Sequence, residues 1–141
     1  VLVARGRGCW VDGRRVSLRR LGGQRRLRDC LVGAEIGAFV PDHRLRRLLL
    51  LVHHCLGVRN VFASVGNTAD MLSSVTGCWA HLGGGKIWDF AAGALAVEEA
   101  GGAACDGMGR TLRWDRLQMD VVLAADTALA AELVAALDLR S

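Results

Sequence analysis

The residues with the most chemical promise lie in one stretch, KIWDFAAGALAVEEAGG, residues 86–102. Asp89 heads a run, residues 90–97, that holds no polar side chain, and a helix of that composition packs on several sides. A carboxylate in such a place needs compensation. One reading is structural: in the first turn of a helix Asp accepts hydrogen bonds from free backbone N–H groups, worth ~1 kcal/mol. The other is functional. Ala91, Ala92 and Gly93 leave the helix start sterically open, and its N–H groups suit a phosphate. A cation held by Asp89 beside that phosphate would serve phosphoryl transfer. The same small residues also suit tight helix packing without any ligand. Glu98 and Glu99 read as surface residues, because their charge in the last turn opposes the helix dipole.

Other candidate chemistry is sparse. Cys9, Cys30, Cys55, Cys78 and Cys105 are scattered, with no CxxC and no Cys/His pair at zinc spacing. His53, His54 and Cys55 are consecutive, so on a helix they point in different directions and read as packing and surface residues. An odd, unframed cysteine count points to a reducing, cytoplasmic setting. Residues 1–47 hold twelve arginines and four acidic residues, while the remainder is net acidic. A basic segment attracts nucleic acid. With only Trp10 and Phe39 as aromatic stacking partners there, a solvated basic face is the preferred reading and nucleic-acid binding is not expected.

These residues must be positioned by a single domain. The chain has 141 residues, 52% hydrophobic and 23% charged, long enough to bury a core. Its longest aliphatic run, residues 48–52, is far short of a membrane span, and no secretion signal opens it. Residues 1–20 read as paired strands turning at Asp12-Gly13, followed by a basic connector at 19–28. Strands are expected at 30–33, 60–63, 78–82, 103–105 and 121–124. Helices are expected from Pro41-Asp42 to 56 with Gly57 as stop, over 68–75, over 87–100, and to 137 behind a cap at Asp126 or Thr127. Residues 64–68 read as a loop, and Gly83-Gly84-Gly85 as a flexible break. Gly101-Gly102 is expected to end its helix with left-handed geometry at one of the two. Asp106-Gly107 and Gly109 read as a turn. Alternating strands and helices predict an α/β layered domain.

The stretch WDFAAGALAVEEAGG is similar to the C-terminal signature of the inositol monophosphatase family: Trp-Asp, one residue, Ala-Ala-Gly, an apolar stretch, then Glu-Ala-Gly-Gly. Trp88, Asp89, Ala91, Ala92, Gly93, Glu99, Ala100, Gly101 and Gly102 carry the match. Weaker similarity extends to ARGRGCWVDGRRVSL, LVGAEIG, CDGMGRTLRW and VVLAAD, so the chain resembles roughly the C-terminal half of a family member. The resemblance implies an α/β/α/β/α layered sandwich, with residues 1–20 ending the N-terminal lobe and residues 21–141 forming the C-terminal lobe. It implies Mg²⁺-dependent hydrolysis of phosphate monoesters, with a small phosphorylated metabolite as partner. Asp89 maps onto a metal ligand, and Gly66, Asn67 and Thr68 fall within the substrate loop.

The chain departs from the family in two places. The family's other metal ligands come from a Gly-Glu segment and an Asp-Pro-x-Asp-Gly-Thr segment. No Gly-Glu pair occurs here, and the one proline, Pro41, follows Val40. A single carboxylate cannot hold two or three Mg²⁺ ions, because Mg²⁺ gives up water reluctantly. No catalytic residue beyond the single ligand is therefore assigned in this chain. Second, inositol phosphatases carry an acid seven positions before the Trp-Asp aspartate, where Leu82 stands here. Leu82 cannot accept a substrate hydroxyl, so sugar phosphates, histidinol phosphate or a phosphoadenosine nucleotide are expected before inositol phosphate. The expected protein is the C-terminal part of a phosphatase, inactive alone, its N-terminal lobe missing or on another chain, and prone to self-association. The first residue, Val1, is compatible with a rare start codon or a truncated reading frame. The alternative is a non-enzymatic remnant or anion-binding module of the same fold.

Overall fold

A computed structural model describes residues 1–19 and 25–138. The expected boundary at 20/21 and residues 20–24 of the expected connector lie outside the described residues. The first unit is an antiparallel sheet of three strands rather than a simple pair: β1 (Leu2–Ala4), β2 (Gly8–Val11) and β3 (Arg14–Val16), in that order. Asp12 and Gly13 have φ of 49° and 75°. A two-residue turn with both φ positive matches the strand twist, which is why Asp-Gly is found there.

A five-stranded sheet follows, with strands β4 (Leu31–Ala34), β5 (Gly57–Arg59), β6 (Cys78–Lys86), β7 (Ala103–Cys105) and β8 (Gln118–Ala124) in the order β5-β4-β6-β8-β7. β4 runs parallel to β5 and β6, while β8 runs antiparallel to β6 and β7. The helices are α1 (Asp42–Leu50), α2 (Ser64–Leu72), α3 (Ile87–Glu99) and α4 (Thr127–Leu137).

Side-chain alternation along β6 divides the core in two. Cys78, Ala80 and Leu82 pack with Leu48 of α1 and with Leu129, Leu133 and Leu137 of α4. Trp79 faces the other way, against Met71 and Leu72 of α2 and Phe90, Ala94 and Val97 of α3. α3 in turn packs on β1 and β2. The layers are therefore α1/α4, large sheet, α2/α3, small sheet: the expected α/β sandwich.

α2 ends at Leu72 rather than 75, and β8 starts at Gln118 rather than 121. Four further expectations are overturned, each for a physical reason. α1 gives way after Leu50 to a 3-10 turn, Leu51–His53, and the Leu56 amide bonds to the Cys30 carbonyl at 2.9 Å. That contact feeds the chain into β5, so Gly57 starts a strand instead of stopping a helix. The expected strand at 60–63 does not form, because Phe62 adopts φ 58°, which no extended strand accommodates. Residues 64–68 are helix, not loop. Thr68 Oγ1 donates to the Ser64 carbonyl at 2.9 Å, and Asn67 is fully buried, so tertiary packing overrides the weak helix propensity of Gly, Asn and Thr. The triple glycine is not a break: β6 runs through it to Lys86 with a bulge between His81 and Gly85, and Gly84 has φ 66°.

Candidate functional site

Asp89 is exposed in the first turn of α3. Its Oδ2 accepts a hydrogen bond from the Lys86 amide at 3.1 Å, so it does cap the helix. Its other oxygen has no hydrogen-bond partner among the described residues, and the carboxylate faces solvent. The capping reading and the ligand reading are thus compatible at this residue. One turn further along, a Cβ on Gly93 would stand 2.6 Å from Thr68 Oγ1. The glycine lets the middles of α2 and α3 meet, and brings residues 66–68 beside the helix that carries Asp89.

Within residues 66–68 the side chains face inward. Asn67 and Thr68 are buried, and Gly66 lies against Val61, whose Cγ1 would be 2.7 Å from an added Cβ. What this segment offers outward is backbone. α2 begins at Ser64 with no side-chain cap, leaving its first amides to solvent or a ligand. Leu82 is fully buried in the core on the α1/α4 side of the sheet, away from this place.

Sequence reasoning missed the group that holds this corner together. Glu35, just beyond β4, is 7% exposed. Its Oε2 lies 3.0 Å from His81 Nδ1, and its Oε1 accepts from Ser64 Oγ at 3.2 Å and Asn67 Nδ2 at 3.4 Å. Burial alone would raise this carboxyl, but the hydrogen bonds from His81, Ser64 and Asn67 hold it below the usual carboxylate range. The His81 ring lies 5.6 Å from Phe39, nearly parallel at 11°, and 5.0 Å from Phe90. His81 Nε2 and Asn67 Oδ1 are buried without a partner. The available signal was a histidine inside an otherwise apolar strand.

Glu99 lies at the surface as expected, but it has partners that the sequence did not suggest. Its two oxygens accept from the Gly6 and Gly8 amides at 2.6 Å and 2.8 Å, tying the small sheet to α3. The compensation its position at a helix C-terminus needs comes from those amides.

Thiol chemistry has no support. All five cysteines are free, and burial pushes every thiol up, Cys105 to about 11. Among the described residues no group of three or more His, Cys, Asp or Glu side chains could hold a metal ion. Mg²⁺ demands a near-octahedral set of oxygen ligands, and one exposed carboxylate does not supply it. These residues therefore do not make a magnesium site by themselves. No helix among the described residues is long and apolar enough to cross a membrane.

The comparisons with known proteins agree with this architecture. No curated protein matches the chain in sequence. Among solved structures, the extragenic suppressor protein SuhB from Bartonella henselae is 25% identical with a TM-score of 0.80, covering 96% of this chain and 51% of that one. The inositol monophosphatase from Anabaena (Nostoc) is 20% identical with a TM-score of 0.82, covering 96% and 54% respectively. An IMPase/NADP phosphatase complexed with Mg²⁺ and phosphate is 18% identical with a TM-score of 0.79, covering 97% and 49%. The chain thus spans about half the length of the structures it resembles. The model of the inositol monophosphatase family matches residues 1–140, and this chain belongs to that family.

Proposed function

We propose that this chain is the C-terminal part of a Mg²⁺-dependent phosphate-monoester phosphatase. Asp89 supplies one carboxylate to a metal centre whose remaining ligands lie outside this sequence. The uncapped start of α2, residues 64–68, forms part of the wall against a small phosphorylated metabolite. Bound metal would supply charge to activate water and stabilise the departing oxygen. The chain's own share is to present the Asp89 oxygens and the backbone amides of α2, both held by the packing of Gly93 on Thr68. The observation that carries this reading is the exposure of Asp89, with one oxygen spent on the Lys86 amide and the other open. With Leu82 buried in the opposite core, no acid at that position meets a polyol hydroxyl, so inositol phosphate is the less suited substrate.

The test is complementation. The chain is co-folded with the N-terminal half of the Bartonella henselae relative, and Mg²⁺-dependent hydrolysis of p-nitrophenyl phosphate is followed. The chain alone is expected to be inactive and the complemented pair active. Asp89→Asn should lower the pair's activity by at least about a hundredfold, as loss of a metal ligand does. Activity that survives the substitution would remove Asp89 from the metal centre.

The absence of a three-ligand cluster among the described residues favours a second reading, a non-enzymatic module of the same fold. On that reading no complementing half restores hydrolysis, and Asp89→Asn changes neither the fold nor phosphate binding.

A further inference from the structure

A cleft of about 1030 Å³ lies between α1 and the segment 106–120, and its Gln118 end adjoins the start of α3, where the Ile87 amide donates to the Leu117 carbonyl at 3.0 Å. α1 forms one wall and the segment 106–120 the other. Six arginines line it: Arg44, Arg46 and Arg47 from α1, with Arg110, Arg113 and Arg116 from the facing segment. Their acidic neighbours divide them into two sets. Arg44 is closed off, donating to Asp120 Oδ2 at 2.5 Å and to the Leu82 carbonyl at 3.1 Å, while Asp120 Oδ1 also accepts from the Gly84 amide. Arg110 is closed on Asp106 at 2.8 Å, and Arg47 pairs with Asp138 at 3.7 Å.

The rim is different. Arg113 and Arg116 share one carboxylate, Asp115, at 2.5 Å and 4.0 Å, and both side chains are more than half exposed. Arg46 is exposed on the opposite wall and has no acidic partner among the described residues. Arg46, Arg113 and Arg116 thus have a single paired carboxylate among them, Asp115, while His43 and Asp42 also line the cleft. No Phe, Trp or Tyr lines the cleft, so it has no surface on which a base would stack. Arginine's planar fork suits phosphate oxygens, and a pair of opposed walls suits a compact ligand bearing several of them.

We propose that this cleft binds a compact polyphosphate anion, a run of linked phosphates bridging Arg46 to Arg113 and Arg116. Its size is in the range of small-molecule sites. Neither Asp89 nor residues 64–68 line it, so the argument rests on the arginines and not on the phosphatase reading.

The probe is inorganic tripolyphosphate, titrated calorimetrically into the whole chain at neutral pH and low salt. One-to-one binding is expected. Arg46→Ala and Arg116→Ala should each weaken it about fivefold, the loss of one partly exposed charge-assisted contact. Asp115→Asn should tighten it by freeing both of its arginines. Arg14→Ala, on β3 and exposed, removes the same charge from elsewhere and should change binding less than about twofold. All three arginines lie at the surface, so circular dichroism of the variants should be unchanged. Equal losses for Arg14→Ala and Arg46→Ala would reduce the effect to diffuse attraction and overturn the proposal. So would the absence of binding, or a single-stranded RNA that binds more tightly than tripolyphosphate and is indifferent to Arg46.

Discussion

Two carboxylates sit where their position alone would make them unfavourable, and in each case the structure supplies the missing donors. Glu99 closes the last turn of α3, facing a helix dipole of the wrong sign, yet accepts from the Gly6 and Gly8 amides, which hold its carboxyl below the usual carboxylate range. A group whose folded pKa is depressed adds stability above its unfolded value, about 4.3, and that stability is lost as pH falls through the folded value. Glu99→Gln should therefore lower the melting temperature at neutral pH, and the gap between the two proteins should narrow in melts below about pH 4. Glu35 makes a different kind of contribution. It is the common acceptor for His81, Ser64 and Asn67, donors from β6 and α2. Glu35→Ala leaves buried donors unmatched and should cost about 3 kcal/mol in chemical denaturation. Ser64→Ala removes only one donor and should cost less than about 1 kcal/mol. Similar losses for the two variants would show that Glu35 is not the hub.

At the scale of elements, the meeting of α2 and α3 is decided by one glycine. Gly93→Ala would gain about 1 kcal/mol in helix propensity if nothing stood in the way. Thr68 Oγ1 stands 2.6 Å from the new methyl, so the net effect should be a loss of about 1–2 kcal/mol. Thr68→Ala removes the obstacle, and the double variant should be more stable than the sum of the singles, a coupling visible in a thermodynamic cycle. Additive losses would mean that the helices do not touch there. The same contact explains what the sequence could reveal and what it hid. Local signals were readable: the Asp12-Gly13 turn, Asp126 accepting from the Leu129 amide at 2.8 Å, and Gly101 ending α3 at φ 89°. Asp89 belonged with them, since a helix start is written in adjacent residues. Residues 64–68 were hidden, because Gly66, Asn67 and Thr68 are helical only through what they pack against. The Glu35–His81 pair was hidden too, joining residues 46 apart that meet only because β4 and β6 pair in parallel. β6 ran past its expected end because Gly83 and Gly85 admit the Phe39 and Phe90 rings where a side chain would collide.

Several large apolar side chains are exposed among the described residues, and that has a consequence for the molecule's state in solution. The two edges of the large sheet are safe from strand pairing, since β5 and β7 have only three residues each. Exposed side chains are the stronger drive. Phe62 and Phe39 pack edge to face at 5.6 Å while remaining 62% and 45% exposed, and Val65, three residues after Phe62, is 80% exposed. Apolar residues grouped in this way mark a surface that associates. The whole chain should therefore show concentration-dependent association in sedimentation velocity, diminished when the complementing half is present. Phe62 allows the cause to be isolated, because its φ of 58° is strained for a bulky residue. Phe62→Asn places a residue there that tolerates left-handed geometry, relieving about 1 kcal/mol, while losing an aromatic contact with Phe39 of similar size. Stability should change by less than about 1 kcal/mol, so any change in association reflects surface and not unfolding. The variant should shift the distribution toward monomer at every concentration. A distribution that ignores the substitution would place the associating surface elsewhere on the molecule.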